Sequence, residues 1–270
     1  MKRAIAAGLL TASLLAPRTV SAQTADLSTP TQGGATPVVQ DVPEPVVHEP
    51  HAPGGVGGFL RDVGGDYKHF LSWSTAKWLG AGGLAALAVH PADEPIQQHV
   101  LESTTTVLPG GDTWGSQKLQ VPLAIAWWMV GHATGSARDA AAGRDLLRAQ
   151  ISVFSWTYAI KYATDRTRPN GDPRSFPSGH ASTSFATATV LQEHYGWMVG
   201  VPAFAAAAYT AASRVTANQH WLSDVVFGAA VGIASGRTVT LHLRDTRVSV
   251  APLVVPGGGG ILLIGTKWTP

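Results

Sequence analysis

The chain has no cysteine among its 270 residues. That excludes a disulfide framework, a thiolate nucleophile and a zinc–thiolate centre. Charge is scarce: Lys, Arg, Asp and Glu together make up 13%. A formal net charge of +2 is no footprint for nucleic acid. Nor is there a clean apolar run of about 20 residues, the length that a membrane-spanning helix needs. Residues 119–137 and 195–213 come nearest as uncharged stretches. The first contains Gln120 and His132, and the second contains Pro202 and leans on alanine. Hydropathy of this kind reads as a soluble or peripheral exported helical domain, leaves contact with a membrane surface open, and keeps a polytopic membrane enzyme as the alternative.

What the chain does have is apolar residues (45%) and 30 glycines, a composition suited to closely packed helices. Residues 1–22 read as a secretory signal: Lys2 and Arg3, a short apolar run, then Val20-Ser21-Ala22 as a small-residue cleavage site. Cleavage leaves 16 basic against 17 acidic residues, so the apparent basicity belongs partly to the signal. The expected location is outside the cytoplasm, in a periplasm or on the outer face of the cytoplasmic membrane. Residues 23–58 are Pro-rich and read as a linker, with His48 and His51 solvated.

A helical domain is expected over 59–240, all-α, with about six core helices. Apolar spacing marks helices near 59–78, 78–89, 119–137, 138–164, 180–193, 195–213 and 219–235. Residues 241–270 change character. Two β-rich runs flank Gly257–Gly260, which predicts a hairpin-like tail.

Three short clusters carry the chemistry. The first is Lys161, Arg168 and Pro169. Seven residues apart, Lys161 and Arg168 would share a helical face, with Pro169 ending the helix. Alone, such a pair is usually a solvated face. The second is Pro177-Ser178-Gly179-His180, after a loop dense in Pro, Gly, Asn and Asp. It opens a helix whose free N–H groups suit an anion. Ser178 alone would be an ordinary cap, and Gly179 would let an oxygen come close to the backbone. The third is Ser213-Arg214, then His220 and Asp224 one helical turn apart. A carboxylate at that spacing can fix the imidazole tautomer and aim its other nitrogen at a substrate.

A phosphate ester resists attack because its oxygens are anionic and its leaving group is an alkoxide. The catalyst must neutralise the first and protonate the second. Arg168 and Arg214 offer planar forks to phosphate oxygens and Lys161 adds a point charge. Arg174, in the loop before Ser178, is a candidate for a distal phosphate. Asp165 is expected to pair with Lys161 at i,i+4. His69, His90, His99, His132, His194 and His242 lack motif context and read as structural or solvated.

All three clusters together, in this order, resemble the type 2 phosphatidic acid phosphatase (PAP2) superfamily, which includes acid phosphatases, lipid phosphatases and vanadium haloperoxidases. The resemblance covers roughly 148–236. It implies a helical bundle and a role for each residue. His220 would attack phosphorus and form a phosphohistidine, and Asp224 would orient it. His180 would protonate the leaving oxygen and then activate water. Lys161, Arg168, Ser178, Gly179 and Arg214 would hold the phosphoryl oxygens. No metal or other cofactor is implied in the phosphatase branch.

The partner expected on this reading is a phosphorylated small molecule or a lipid or polyprenyl (di)phosphate. One alternative is a vanadate-dependent haloperoxidase, whose relatives are typically much longer. Another is a noncatalytic exported protein of the same fold, against which the intact His180, His220 and Asp224 speak. The residues do not choose between soluble and lipid substrates.

Overall fold

The computed structural model describes residues 55–103 and 108–241, with the backbone alone of 247–255 and 258–266. The expected signal segment and nearly all of the expected linker fall outside the described residues, as does His242.

The helices run in order α1 (Val56–Phe70), α2 (Trp73–Val89), a 3-10 turn (His90–Ala92), α3 (Asp93–Glu102), α4 (Gly111–Trp114), α5 (Gln117–Thr134), α6 (Ala137–Thr164), α7 (Gly179–Tyr195), α8 (Trp197–Thr216) and α9 (Leu222–Val239). Serine starts four of them. Ser72, Ser116, Ser136 and Ser178 each accept a backbone N–H of the first turn and so satisfy one orphan donor. The expected continuation from 59–78 into 78–89 is broken two residues before Trp73, because Ser72 leaves helical geometry to cap α2.

Helix α7 is the centre of the bundle and packs on α6, α8 and α9. Its buried face is built from small residues: Ala181, Ser182, Ala186 and Thr189. Opposite them, α9 places Gly228, Gly232 and Gly236 four residues apart. A Cβ on Gly232 would collide with the Ser182 carbonyl, so the two backbones touch at this stripe. Side chains of Leu146, Val153, Val190, Val231 and Val239 fill the space between. The abundance of Ala and Gly is thus spent on short interhelical distances.

One polar group sits inside this packing, towards the other end of α6 from Lys161. Arg148 forks the Asp66 carboxylate through Nε (2.8 Å) and Nη2 (2.5 Å), and its Nη1 donates to Asp145 at 2.7 Å. Asp145 also lies 3.0 Å from His194 Nε2. The network ties α1 to α6 and α7, so His194 is a buried structural histidine. Burial pushes the Asp66 carboxyl up from its ordinary value, against the opposing pull of Arg148.

Among the described residues, α9 alone has the length and mean hydropathy (1.2) to cross a membrane, and 61% of that window is buried. The expected hairpin is not supported as part of the fold. No side chain of 242–270 belongs to the described residues. The described core is helical throughout.

Candidate active site

The three sequence clusters meet where α6 ends, α7 begins and α8 passes into α9. Helix α6 stops at Thr164, and Asp165 caps it in a left-handed conformation (φ 42°). This corrects two expectations. Arg168 lies in the loop after α6 and not on its face, and Asp165 serves as a backbone cap with no ion pair to Lys161. The short polar Asp side chain tolerates the left-handed region better than most.

Lys161 is buried. Its Nζ donates to the carbonyls of Arg174 (2.7 Å) and Ser175 (3.1 Å), so it also pins the 165–178 loop. Burial draws its pKa down to about 8, with the Arg168 charge adding to the effect. It therefore stays a cation at neutral pH. Arg168 donates to Gln219 Oε1 at 2.8 Å, which holds it beside His220 in the chain. Arg174 rests its guanidinium over the Tyr162 ring, 4.7 Å from the centroid.

Ser178 is fully buried and caps α7, as a bland reading of that residue predicts. Its amide donates to the Asp224 carbonyl at 2.9 Å, which joins the second cluster to the third. A Cβ on Gly179 would meet only Thr157 Cγ2, at 3.9 Å. Protein packing therefore does not require glycine there, and the space suits a ligand oxygen.

Arg214 is buried, and its Nε has no partner. A buried guanidinium with an unused N–H is a donor waiting for an anion. Its Nη1 is taken by Asp112 Oδ1 at 2.5 Å, and the same oxygen lies 3.2 Å from His180 Nε2. The Arg214 carbonyl accepts the amides of Gln219 and His220, which fixes the turn that presents His220.

His220 is almost fully buried, and its Nδ1 lies 3.5 Å from Asp224 Oδ2 and 3.4 Å from Ser175 Oγ. No described residue bonds its Nε2. Contrary to the expectation, His220 and Asp224 are not one turn apart on a single helix. Trp221 is extended (φ −71°, ψ 158°), so α9 begins after His220 and Asp224 sits in its first turn. Asp224 Oδ2 accepts the Trp221 amide (3.0 Å) and the Ser175 hydroxyl, and Oδ1 accepts Arg166 Nη1 at 2.8 Å. Burial alone would raise the Asp224 pKa. The bonds from His220, Ser175, the Trp221 amide and Arg166 outweigh it and hold the carboxyl below its usual range. Burial pushes both imidazoles the other way, His220 and His180 each down to about 4. The Arg214 charge reinforces this at His180 and the Lys161 charge at His220. Both rings are therefore neutral in the resting site at neutral pH.

The sequence reading missed Arg166, Asp93, Ser175, Gln219 and Asp112. Arg166 bridges Asp224 to Asp93, with Nη2 2.8 Å from Asp93 Oδ2. Asp93 in turn accepts the amide and hydroxyl of Ser223. None of the five has a local pattern that announces it, since each reaches its partner through tertiary packing. Among the described residues no group of three or more His, Asp or Glu is placed to hold a metal ion.

Comparison with known proteins bears on the same region. The profile of the PAP2 superfamily matches residues 154–247. A lipid A 1-phosphatase of Porphyromonas gingivalis is 46% identical over 83 residues, which is 29% of this chain and 18% of the relative. A lipid A 4'-phosphatase of Helicobacter pylori is 40% identical over 79 residues, 29% of this chain and 40% of the relative. The chain thus spans less than half the length of these curated relatives. Among solved structures, a transmembrane PAP2-type phosphatidylglycerolphosphate phosphatase of Bacillus subtilis superposes with a TM-score of 0.55. That match has 19% identity and covers 65% of this chain and 98% of that one.

Proposed function

We propose, from a chain that carries the PAP2 superfamily pattern over 154–247 and the PAP2 fold, that it is a phosphoric ester hydrolase acting on lipid phosphates. The observation that carries the proposal is the pairing of two features. A buried His220 is held by an ionised Asp224, and beside it a buried Arg214 has an unpartnered Nε. One is a nucleophile with its orienter, the other an oxyanion site.

In the first half-reaction the free Nε2 lone pair of His220 forms a bond to phosphorus as the bond to the leaving oxygen breaks. His180 gives its proton to that oxygen. In the second, water attacks the phosphohistidine and gives a proton to His180, and phosphate departs with His220 restored. Lys161, Arg168, Arg214, the Ser178 hydroxyl and the Gly179 amide hold the phosphoryl oxygens, since the Ser178 amide is taken by the Asp224 carbonyl. The residues of this route supply every proton and charge it needs, without a metal. Permanent vanadate and a noncatalytic role are the readings it displaces.

Two observations favour a lipid ester over a soluble one. Large apolar side chains stand exposed on α2, α5 and α8, among them Trp73, Leu84, Leu87, Met129, Val130 and Met198. Solitary exposed residues are ordinary, but rows of them on several helices fit an apolar surrounding. In addition, the two curated relatives are both lipid A phosphatases. We place the site at a membrane, with export to the outer face as the finer part of the reading.

The test uses the full chain in detergent and in lipid vesicles, with a lipid phosphate and a soluble aryl phosphate as substrates and EDTA in parallel samples. Release is expected to be faster from the lipid ester and unchanged by EDTA. Release from the aryl ester alone would sink the lipid assignment, and metal-reversible loss with EDTA would sink the metal-free route.

The histidine pKa values give a second expectation. His220 must be neutral, which favours pH above about 4, and His180 must be protonated, which favours pH below about 4. In the free enzyme kcat/KM should therefore peak on the acid side and fall through neutrality. A bound phosphoryl dianion raises both imidazoles, so the kcat profile should peak at higher pH. Rate profiles from pH 3 to 9 check this. A kcat/KM that climbs into the alkaline range would remove His180 as the proton donor.

A further inference from the structure

Among the described residues, Asp112 is the one carboxylate that touches both the anion site and the proton donor. It sits on α4, a four-residue helix whose neighbours hold it there by close contact. A Cβ on Gly111 would collide with Ser213 Oγ, and one on Gly115 would stand 2.8 Å from His180 Cβ. The two glycines thus let α4 lie directly on α8 and on the start of α7, with Tyr209 Oη bonded to the Pro109 carbonyl at 3.0 Å behind it. Between them Asp112 reaches Arg214 Nη1 at 2.5 Å and His180 Nε2 at 3.2 Å. Its own side chain is 72% exposed, whereas that of Arg214 is 9% exposed. Among the described residues, then, none buries the carboxylate away from water.

We infer that Asp112 is an affinity-determining residue of the site: its carboxylate occupies an Arg214 donor that a phosphoryl oxygen must take and lies against the His180 nitrogen that serves the leaving oxygen, and an ester binds by displacing it. This rests on the proposed phosphatase reading. A carboxylate carries one negative charge and a phosphate monoester dianion carries two. The dianion therefore displaces it, while a singly charged competitor gains nothing by exchange. Asp112 makes the resting site selective for doubly charged phosphoryl groups, and it weakens their binding by the same competition. Released orthophosphate leaves more readily for the same reason.

A residue that merely props Arg214 would show the opposite sign when removed. The full chain and its Asp112→Asn, Asp112→Ala and Asp112→Glu variants are titrated with orthophosphate by calorimetry. KM for the lipid phosphate is measured alongside. Loss of the charge in Asn and Ala should tighten orthophosphate about tenfold, equivalent to about 1.4 kcal/mol, and lower KM, while Glu stays near wild type. Because the side chain is exposed, these variants should fold, and two neutral replacements guard against one failing. Weaker or unchanged orthophosphate binding in the neutral variants, with wild type binding and turning over, would overturn the inference alone. No binding and no turnover in any of the proteins would bring down the phosphatase reading itself.

Discussion

His220→Ala is expected to leave a folded protein that turns over at least about 10⁴-fold more slowly, because losing a nucleophile that acts as one unit with its orienter removes most of the rate enhancement. The geometry explains why no neighbour can substitute. His220 presents a free Nε2 only because Asp224 and Ser175 hold its Nδ1 side, and Asp224 stays ionised because Arg166 and the Trp221 amide bind it. His180, the other imidazole, is committed to the Asp112 and Arg214 side. What survives should be binding: Lys161, Arg168 and Arg214 remain, so orthophosphate should still titrate. Trapping of a covalent adduct separates the covalent route from a general-base route. Radiolabelled phosphate from substrate should be trapped on wild type as an alkali-stable, acid-labile adduct and be missing from the variant. Free imidazole should restore part of the turnover. Turnover in His220→Ala close to that of wild type would end the phosphohistidine mechanism outright.

The second large effect concerns stability. Arg148→Ala should cost about 3–5 kcal/mol, the usual penalty for stranding buried charge. Removing the guanidinium leaves Asp66 buried without its cation, takes one partner from Asp145, and cuts the buried ion pair between α1 and α6. The other contacts of α1 lie nearer the surface or are apolar. They include the Arg144 to Asp62 ion pair at 2.5 Å, the Tyr67 to Ser155 hydroxyl pair at 2.5 Å, the stack of Phe70 on Trp156 at 4.6 Å and that of Phe59 on Trp128 at 6.5 Å, and none of them supplies a cation to Asp66. Denaturant unfolding of the purified chain measures the loss. Replacing Asp66, Asp145 and Arg148 together with apolar residues of similar volume should cost much less than Arg148→Ala, since no charge is then left behind. If the single variant unfolds within about 1 kcal/mol of wild type, the network does not hold α1 to the bundle.

Helix positions were legible because they depend on neighbours in sequence. The span 138–164 was expected as one long helix and α6 runs from Ala137 to Thr164, with Ser136 as the cap that the sequence displays. The abundance of Ala and Gly likewise announces tight packing, which the fold realises at Gly232, where a Cβ has no room. The boundaries near the site were less legible. The 3.6-residue period put Arg168 on a helix with Lys161 and His220 on a helix with Asp224. Periodicity cannot see a chain leaving the helix at Asp165, or entering it only after Trp221.

The sequence by itself determined which side chains gather. Lys161, Arg168, Ser178, Gly179, His180, Arg214, His220 and Asp224 stand in three clusters whose order and spacing are distinctive, and the fold brings all three to one end of the bundle. Only the tertiary structure decided how they are set. Arg166 reaches Asp224 across 58 positions of chain and Asp112 reaches Arg214 across 102. The physical reason lies in the range of the forces. A helix or a cap is closed by hydrogen bonds over three or four residues and leaves its mark in local pattern. A carboxylate that meets a guanidinium over such separations does so because packed helices bring them together. The charge that holds Asp224 ionised and the charge that occupies Arg214 were therefore invisible until the bundle was assembled.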